Sequence, residues 1–176
     1  MVDPRLQFGD FPVPVLGLAA RSGTGKTTLL ERLIPALRAA GVRVAVIKHS
    51  HHDIELDRPG KDSHRLREAG ADQIMLASPY RSFWVGEGDG ETLPPLPELL
   101  DRLDVGCIDL VLLEGYHHLA HARIEVYRAA CGNRPLAPDD SHVIAVAADT
   151  TLDLPLPVLP LNDTEAVRHF VLGLLA

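Results

Sequence analysis

The chain has 176 residues, with 24 acidic and 17 basic side chains, and its net charge of −7 disfavours general nucleic-acid binding. Hydrophobic residues make up 46% of it, but in short runs, none near the roughly 20 residues that a membrane helix needs. With no signal-peptide pattern, we expect a cytoplasmic protein that makes no membrane contact. This length predicts one α/β domain over residues 1–176, with Cys107 and Cys131 as free thiols.

The first predicted elements are a strand, a glycine-rich turn and a helix. The strand covers residues 13–19, and the helix covers residues 26–40, where apolar side chains recur at helical spacing. Between them, the run ARSGTGKT at residues 20–27 fits the phosphate-binding loop pattern A/G-x-x-x-x-G-K-S/T, with alanine in the first position. A glycine-rich turn that matches by chance is the alternative. The strand before the turn and the helix after it favour a nucleoside triphosphate site.

The residue types in this loop suit phosphate binding. Gly23 and Gly25 let the backbone wrap a phosphate with its N–H groups, and the helix that follows adds its positive N-terminal dipole. Lys26 is expected to reach the β- and γ-phosphates, and the Thr27 hydroxyl is expected to bind Mg²⁺. The predicted nucleotide-binding residues of the loop are Ser22, Gly23, Thr24, Gly25, Lys26, Thr27 and Thr28.

The remaining elements continue to alternate along the chain. Strands are predicted over residues 42–47, 73–77, 81–85, 109–113, 124–127, 143–147 and 158–159, and helices over residues 62–69, 98–103 and from 162 onwards. The alternating strand at 124–127 is predicted to be half-exposed, and residues 48–61 are expected to form an active-site loop. This order of elements predicts a mostly parallel sheet with helices on both faces.

A second motif is the apolar strand at residues 109–113 and the acid that follows it. Ligands of parallel sheets bind beyond the carboxyl ends of the strands, which is where Glu114 lies. Glu114 is therefore the candidate for holding Mg²⁺ through water or for orienting the attacking water. Asp109, roughly 16 Å back along the strand, is expected to cap the strand entrance. Gly115 is expected to let the backbone approach the γ-phosphate, and a plain surface acid is the alternative for Glu114.

Three segments together resemble the MobB family, the molybdopterin-guanine dinucleotide biosynthesis adaptor proteins. They are AARSGTGKTTLLERLIPAL, IKHSHHDIELDRPGKDSHRLREAGA and DLVLLEGYHH, and the resemblance runs from about residue 13 to the C-terminus. It implies a P-loop NTPase fold, GTP and Mg²⁺ as ligands, weak GTP hydrolysis and a homodimer. It also implies a partner, the molybdenum cofactor guanylyltransferase that joins GMP to molybdopterin. Molybdopterin itself becomes a candidate ligand.

The catalytic residues expected from the two motifs are Lys26 and Glu114. Loop N–H groups, Lys26 and a Thr27-bound Mg²⁺ would neutralise charge on the γ-phosphoryl group while Glu114 orients water. No arginine finger or catalytic glutamine stands at a fixed motif position in the sequence. Hydrolysis is therefore expected to be slow, or to need a partner.

Two further carboxylates are candidates. Asp62, in the run GKDS, or its neighbour Ser63 could cap the predicted helix, and Asp62 could instead lie near Mg²⁺ or the γ-phosphate. Asp149 follows the strand at 143–147, where a carboxylate could accept hydrogen bonds from guanine N1 and N2. The N-K-x-D signature of GTPases is missing, so the residues alone do not fix the base. Arg81 could grip a phosphate or be a solvated surface arginine.

The polar residues after the second strand form the last candidate group. His49, His51, His52 and Asp53 are expected on the nucleotide side of the sheet, where they could contact phosphate, partner or pterin. Imidazoles also suit transition metals, but the spacing H-x-H-H forms no recognised ligand set. Two other functions stay open at this point: a small-molecule kinase, which usually needs an arginine-rich lid, and a metal-insertion GTPase, which would use these histidines.

Overall fold

In the computed structural model, which describes residues 1–50, 54 and 59–176, the chain forms two compact units. The larger unit contains residues 1–49 and 96–176, and the smaller contains residues 50–95. The expectation of one domain over residues 1–176 stays a prediction. None of the helices in the described part of the chain combines the length and the apolar composition needed to span a bilayer.

The larger unit alternates strands with helices. Its strands are β1 (Val15–Ala19), β2 (Val44–Lys48), β5 (Leu110–Glu114), β6 (Arg123–Tyr127), β7 (Val143–Ala148) and β8 (Val158–Pro160). Its helices are α1 (Lys26–Ala39), α3 (Leu96–Leu100) and α4 (Thr164–Leu175). Short 3-10 turns lie at Pro4–Leu6, Val105–Cys107, Ala129–Cys131 and Ala137–Asp139. The helix predicted over residues 98–103 thus begins two residues earlier, with Pro97 in its first turn, where a proline ring is tolerated.

All pairings in the six-stranded sheet are parallel, in the order β2-β5-β1-β6-β7-β8. Parallel strands place their carboxyl ends at one edge, so the segments after β1, β5, β6 and β7 meet there. In the register, Leu18 lies opposite Glu114, and Lys48 lies on the other side of Glu114. The end of β5 is therefore beside the start of the glycine-rich loop.

Apolar residues cover both faces of this sheet, as a parallel sheet requires. On the first face, α1 and α4 pack against alternate strand residues such as Leu16, Leu18 and Leu112. On the second face, α3 packs against Val15, Val111 and Leu113. The α1 side chains Leu29, Leu30, Leu33 and Leu37 follow the helical spacing that predicted the helix.

The structure corrects the prediction that residues 124–127 form a half-exposed strand. Strand β6 lies between β1 and β7, and Arg123 and Glu125 are each only 2% exposed. The Glu125 carboxylate accepts hydrogen bonds from the backbone N–H groups of Leu136 (2.8 Å) and Ala137 (2.9 Å). Because the partners of this buried carboxylate are backbone groups of a distant loop, the alternating sequence pattern looked like that of a surface strand.

The smaller unit contains α2 (Asp62–Glu68) and an antiparallel hairpin of β3 (Gln73–Ala77) and β4 (Ser82–Gly86). The hairpin forms its own two-stranded sheet rather than joining the parallel one. The predicted cap of α2 is wrong by one residue. Lys61 occupies the N-cap position without a side-chain cap bond, and Asp62 is the first helical residue, where its negative charge suits the helix dipole.

Candidate nucleotide site

The loop after β1 has the backbone conformation that its sequence predicts. Gly23 has φ of +80° and Gly25 has φ of +98°, which is the left-handed region that side chains disfavour. Gly25 is also the N-cap of α1, and α1 begins at Lys26. A turn of this kind in front of a helix N-terminus gathers backbone N–H groups and the positive end of the dipole at one anion-sized site.

Side chains hold the loop closed on itself. The buried Thr24 hydroxyl donates a hydrogen bond to the Arg21 carbonyl (2.9 Å), and the Lys26 ammonium donates one to the Ala20 carbonyl (3.2 Å). Ser22, Thr27 and Thr28, in contrast, are exposed. The loop is thus preorganised by its own residues, and the hydroxyl predicted to bind Mg²⁺ is accessible.

Glu114 lies at the carboxyl end of β5, as predicted, and it has a cationic neighbour. Its carboxylate is 3.5 Å from the Lys48 ammonium, and its side chain is 13% exposed. Asp109 lies at the opposite end of the strand, where the Arg43 guanidinium and backbone N–H bind its carboxylate and lower its pKa to about 2. The structure therefore separates the two acids as the sequence predicted, with only Glu114 beside the loop.

The residue after Glu114 must be glycine for two reasons. Gly115 has φ of +104°, and a Cβ added to it would lie 2.5 Å from the Cβ of His49. The pairing with β5 extends one residue beyond β2, since the His49 N–H donates to the Glu114 carbonyl (2.8 Å). Gly115 thus allows His49 to pack directly against the backbone at the end of β5, in addition to the predicted approach to phosphate.

Most of this chain matches a known protein family. A profile of the family MobB, described as molybdopterin guanine dinucleotide synthesis protein B, matches residues 15–149, from the start of β1 to Asp149. The chain belongs to the MobB family. The resemblance inferred from the three sequence segments is confirmed.

Relatives of this MobB-family chain align over nearly all of its length. It is 47% identical to a molybdopterin-guanine dinucleotide biosynthesis adapter protein of Escherichia coli, over 93% of this chain and 94% of the relative. It is 39% identical to the adapter protein of Haemophilus influenzae, over 95% and 92% of the two chains.

Solved structures support the fold. A crystal structure of a molybdopterin-guanine biosynthesis protein B matches with a TM-score of 0.72 and 28% identity, covering 92% of this chain and 98% of that one. The structure of Bacillus subtilis MobB, at 22% identity, matches with a TM-score of 0.72 over 93% and 98% of the two chains. The predicted α/β fold, a mostly parallel sheet with helices on both faces, is confirmed.

Sequence reasoning missed Arg128, which follows β6 directly and contacts the glycine-rich loop. Its Nε donates to the Thr24 carbonyl in the glycine-rich loop (3.3 Å), and its guanidinium lies 3.5 Å from the Asp149 carboxylate. The same carboxylate accepts the Ala129 N–H (2.8 Å). Arg128 therefore bridges the phosphate-binding loop and the segment predicted to read the base. Its position directly after a strand of the parallel sheet was the signal that could have found it.

If the loop binds a nucleotide, as its sequence predicts, we expect Arg128→Met to weaken that binding about tenfold, because the Thr24 carbonyl and the Asp149 carboxylate lose the guanidinium that they share. Arg128→Lys should recover only part of the loss, since an ammonium lacks the planar fork. Calorimetric titration with GTP and with pyrophosphate measures the effect, and Arg134→Met is the control for losing an exposed arginine. Unchanged affinity for both ligands in Arg128→Met would show that the bridge has no role.

A buried histidine, His121, packs against Gly17 of β1. The His121 ring packs where a Cβ on Gly17 would be 2.4 Å from its Nε2, and its Nδ1 lies 3.0 Å from the Leu119 carbonyl oxygen. Burial first, and then the positive charge of Arg123, lower the pKa of His121 from 6.5 to about 4. The folded protein therefore keeps this ring neutral at pH values where the unfolded chain protonates it.

This pKa shift predicts a pH dependence of stability. Between pH 6.5 and pH 4 the unfolded chain binds the extra proton, so the free energy of unfolding should fall by about 3 kcal/mol as the pH drops through this range. Urea unfolding at several pH values measures it. His121→Gln should show a shallower slope than the parent, whereas His142→Gln, at an exposed position, should keep the parent slope. Equal slopes in all three proteins would contradict the assignment.

Several predicted site residues lie outside the larger unit or outside the described residues. Asp62 and Arg81 belong to the smaller unit, and the Asp62 side chain is 97% exposed, 3.8 Å from Arg65. His51, His52 and Asp53 lie outside the described residues. Within residues 1–50, 54 and 59–176, no group of three or more histidine, cysteine or acidic side chains is arranged to hold a metal ion.

Proposed function

We propose that this MobB-family chain is a GTP-binding adapter in molybdopterin guanine dinucleotide biosynthesis. The observation that carries the proposal is the closed loop, with left-handed Gly23 and Gly25 ahead of α1 and with Lys26 and Thr27 at the helix start. Such a loop suits the triphosphate of a nucleotide. The adapter role comes from the names of the relatives in Escherichia coli and Haemophilus influenzae.

In this proposal, the loop binds the phosphates and Mg²⁺ joins them. Lys26 would turn from the Ala20 carbonyl to the β- and γ-phosphates, and the exposed Thr27 hydroxyl would bind Mg²⁺. Glu114, held beside Lys48, would orient the attacking water near the γ-phosphate or hold Mg²⁺ through a water. Asp62 is proposed as a further group near the metal. Hydrolysis would be slow, because no arginine finger or catalytic glutamine stands at a fixed motif position in the sequence.

Asp149 is the proposed reader of guanine. Its carboxylate already accepts the Ala129 N–H and faces Arg128. A carboxylate has about four acceptor positions, so the same group can also accept the N1–H and N2–H of guanine. The contacts with the Ala129 N–H and with Arg128 would hold the carboxylate in one orientation for binding guanine.

Calorimetric titration with GTP and with ATP, each with Mg²⁺, tests the proposal. We expect the parent protein to prefer GTP and Asp149→Asn to lose the preference, because an amide replaces one acceptor with a donor. Asp153→Asn, an exposed acid four residues further on, is the matched control. A preference for ATP would instead favour a kinase, and binding of neither nucleotide would overturn the proposal for the isolated chain.

We also propose that the chain acts as a homodimer and works with the guanylyltransferase that attaches GMP to molybdopterin. The exposed apolar surface of the hairpin in the smaller unit supports the homodimer, because a second copy of the chain could cover it. Met75 is 71% exposed, and Leu76 and Phe83, which are cross-strand partners, are exposed as well. A two-stranded sheet with apolar side chains exposed on both faces is unstable in water and favours association. Sedimentation analysis should show a dimer that Met75→Lys converts to a monomer.

A further inference from the structure

A cavity of about 680 Å³ opens beside the first half of the glycine-rich loop, on the second face of the sheet. Its walls come from Arg21 and Ser22 of the loop, from His117 after β5, and from Leu136, Asp139 and Asp140 after β6. The later loop residues, Gly23 to Thr28, do not line it. The volume is typical of a small-molecule site, and the cavity shares only the first residues of the loop, Ala20, Arg21 and Ser22.

Two buried side chains of β6 hold the walls of this cavity in place. The Arg123 guanidinium donates to the carbonyls of His117 (3.0 Å) and Leu119 (2.6 Å), and it lies 3.4 Å from the Asp140 carboxylate. Glu125 binds the backbone N–H groups at residues 136 and 137 on the other wall. Buried ionisable groups are costly unless they are paired in this way. Here their bonds fix two loops, so the cavity is a preformed site.

The polar groups on the walls indicate what the cavity can bind. The loop contributes the exposed Arg21 guanidinium and the Ser22 hydroxyl, which suit a phosphate. Residues 133–140 contribute the apolar Leu136 and the Asp139 carboxylate, for which no described residue supplies a hydrogen bond or ion pair. A carboxylate can accept two parallel N–H donors from the 2-amino-4-oxopyrimidine edge that guanine and pterins share.

We propose that this cavity binds a phosphorylated pterin next to the nucleotide, with Asp139 on the aminopyrimidinone edge and Arg21 on the phosphate. The inference rests on the proposed function, which places guanine at Asp149 beyond β7 and so leaves the cavity for a second heterocycle. A pterin here would lie beside the loop that holds the triphosphate. The chain would then present both components of the dinucleotide to its partner.

Fluorescence titration with neopterin monophosphate, a pterin that emits on its own, tests the proposal. We expect saturable quenching by the parent protein and about tenfold weaker binding by Asp139→Asn, because one charged acceptor is lost. Asp153→Asn should bind as the parent does. Arg21→Ala should lose the preference for neopterin monophosphate over unphosphorylated neopterin.

Two further arms separate the pterin site from the nucleotide site. Lys26→Ala should keep pterin binding while losing GTP binding, and GTP should not displace the pterin from the parent. No saturable quenching, or equal binding by Asp139→Asn and the parent, would overturn the proposal. Displacement by GTP together with loss in Lys26→Ala would also overturn it, since the pterin would then occupy the phosphate loop. The GTP titration of the same preparations tests the proposed function separately.

Discussion

Lys26→Ala is expected to weaken GTP binding by about ten- to a hundredfold, the loss of one charged hydrogen-bonding group on the phosphates. The folded chain should tolerate the change, because among the described residues the Lys26 ammonium makes one hydrogen bond, to the Ala20 carbonyl, on the partly exposed loop. Calorimetry with GTP and Mg²⁺ measures the affinity, and the thermal midpoint of unfolding checks that the fold is kept.

The matched control for this variant is Arg32→Ala, which removes one positive charge from the exposed side of the same helix. It should bind GTP with nearly the parent affinity, because its charge lies more than a turn beyond the loop. Equal losses in Lys26→Ala and Arg32→Ala would mean that the protein attracts the nucleotide by general charge. The specific role of the loop lysine would then be wrong.

Glu125→Leu is expected to lower the free energy of unfolding by about 2–5 kcal/mol. The substitution leaves the partly buried N–H groups of Leu136 and Ala137 without their acceptor, at up to about 1–3 kcal/mol for each donor left unsatisfied. Glu125→Gln keeps one acceptor oxygen in the same shape and should lose roughly half as much. Urea unfolding of the three proteins measures the differences.

The outcome for Glu125 also bears on the cavity. If the two hydrogen bonds hold residues 133–140 in place, hydrogen exchange at Leu136 and Ala137 should speed up in Glu125→Leu while β1 stays protected. A variant as stable as the parent, with unchanged exchange at these amides, would show that the loop is held by other contacts. The preformed character of the cavity would then need another cause.

The sequence predicted the parts of the site whose residues are close together in the chain. The loop, its two glycines and the start of α1 lie within residues 20–27, and the strand before and helix after them were visible from their spacing. Glu114 was found by a general rule, that ligand-binding groups follow the carboxyl ends of parallel strands. Both predictions depend on short-range patterns, which a single sequence displays directly.

Contacts between residues that are far apart in the sequence could not be predicted from it. Arg128 reaches Thr24 across 104 positions of the chain, and no local pattern marks such a pair. Glu125 looked like a surface residue because its partners are backbone N–H groups, which every residue except proline has. The hairpin of β3 and β4 was predicted as two strands, but nothing in their sequence indicated a separate antiparallel sheet. Tertiary context decided each of these cases.

The two edge strands of the six-stranded sheet, β2 and β8, differ in whether another strand can pair with them. Strand β8 includes Pro160 and follows Pro155 and Pro157, none of which can donate a backbone hydrogen bond. Strand β2 contains no proline, and within this unit no described strand pairs with its outer side. A strand from another chain can therefore join the sheet only beside β2. The last residue of β2, Lys48, pairs with Glu114 of β5, so β2 alone would separate the added strand from Glu114.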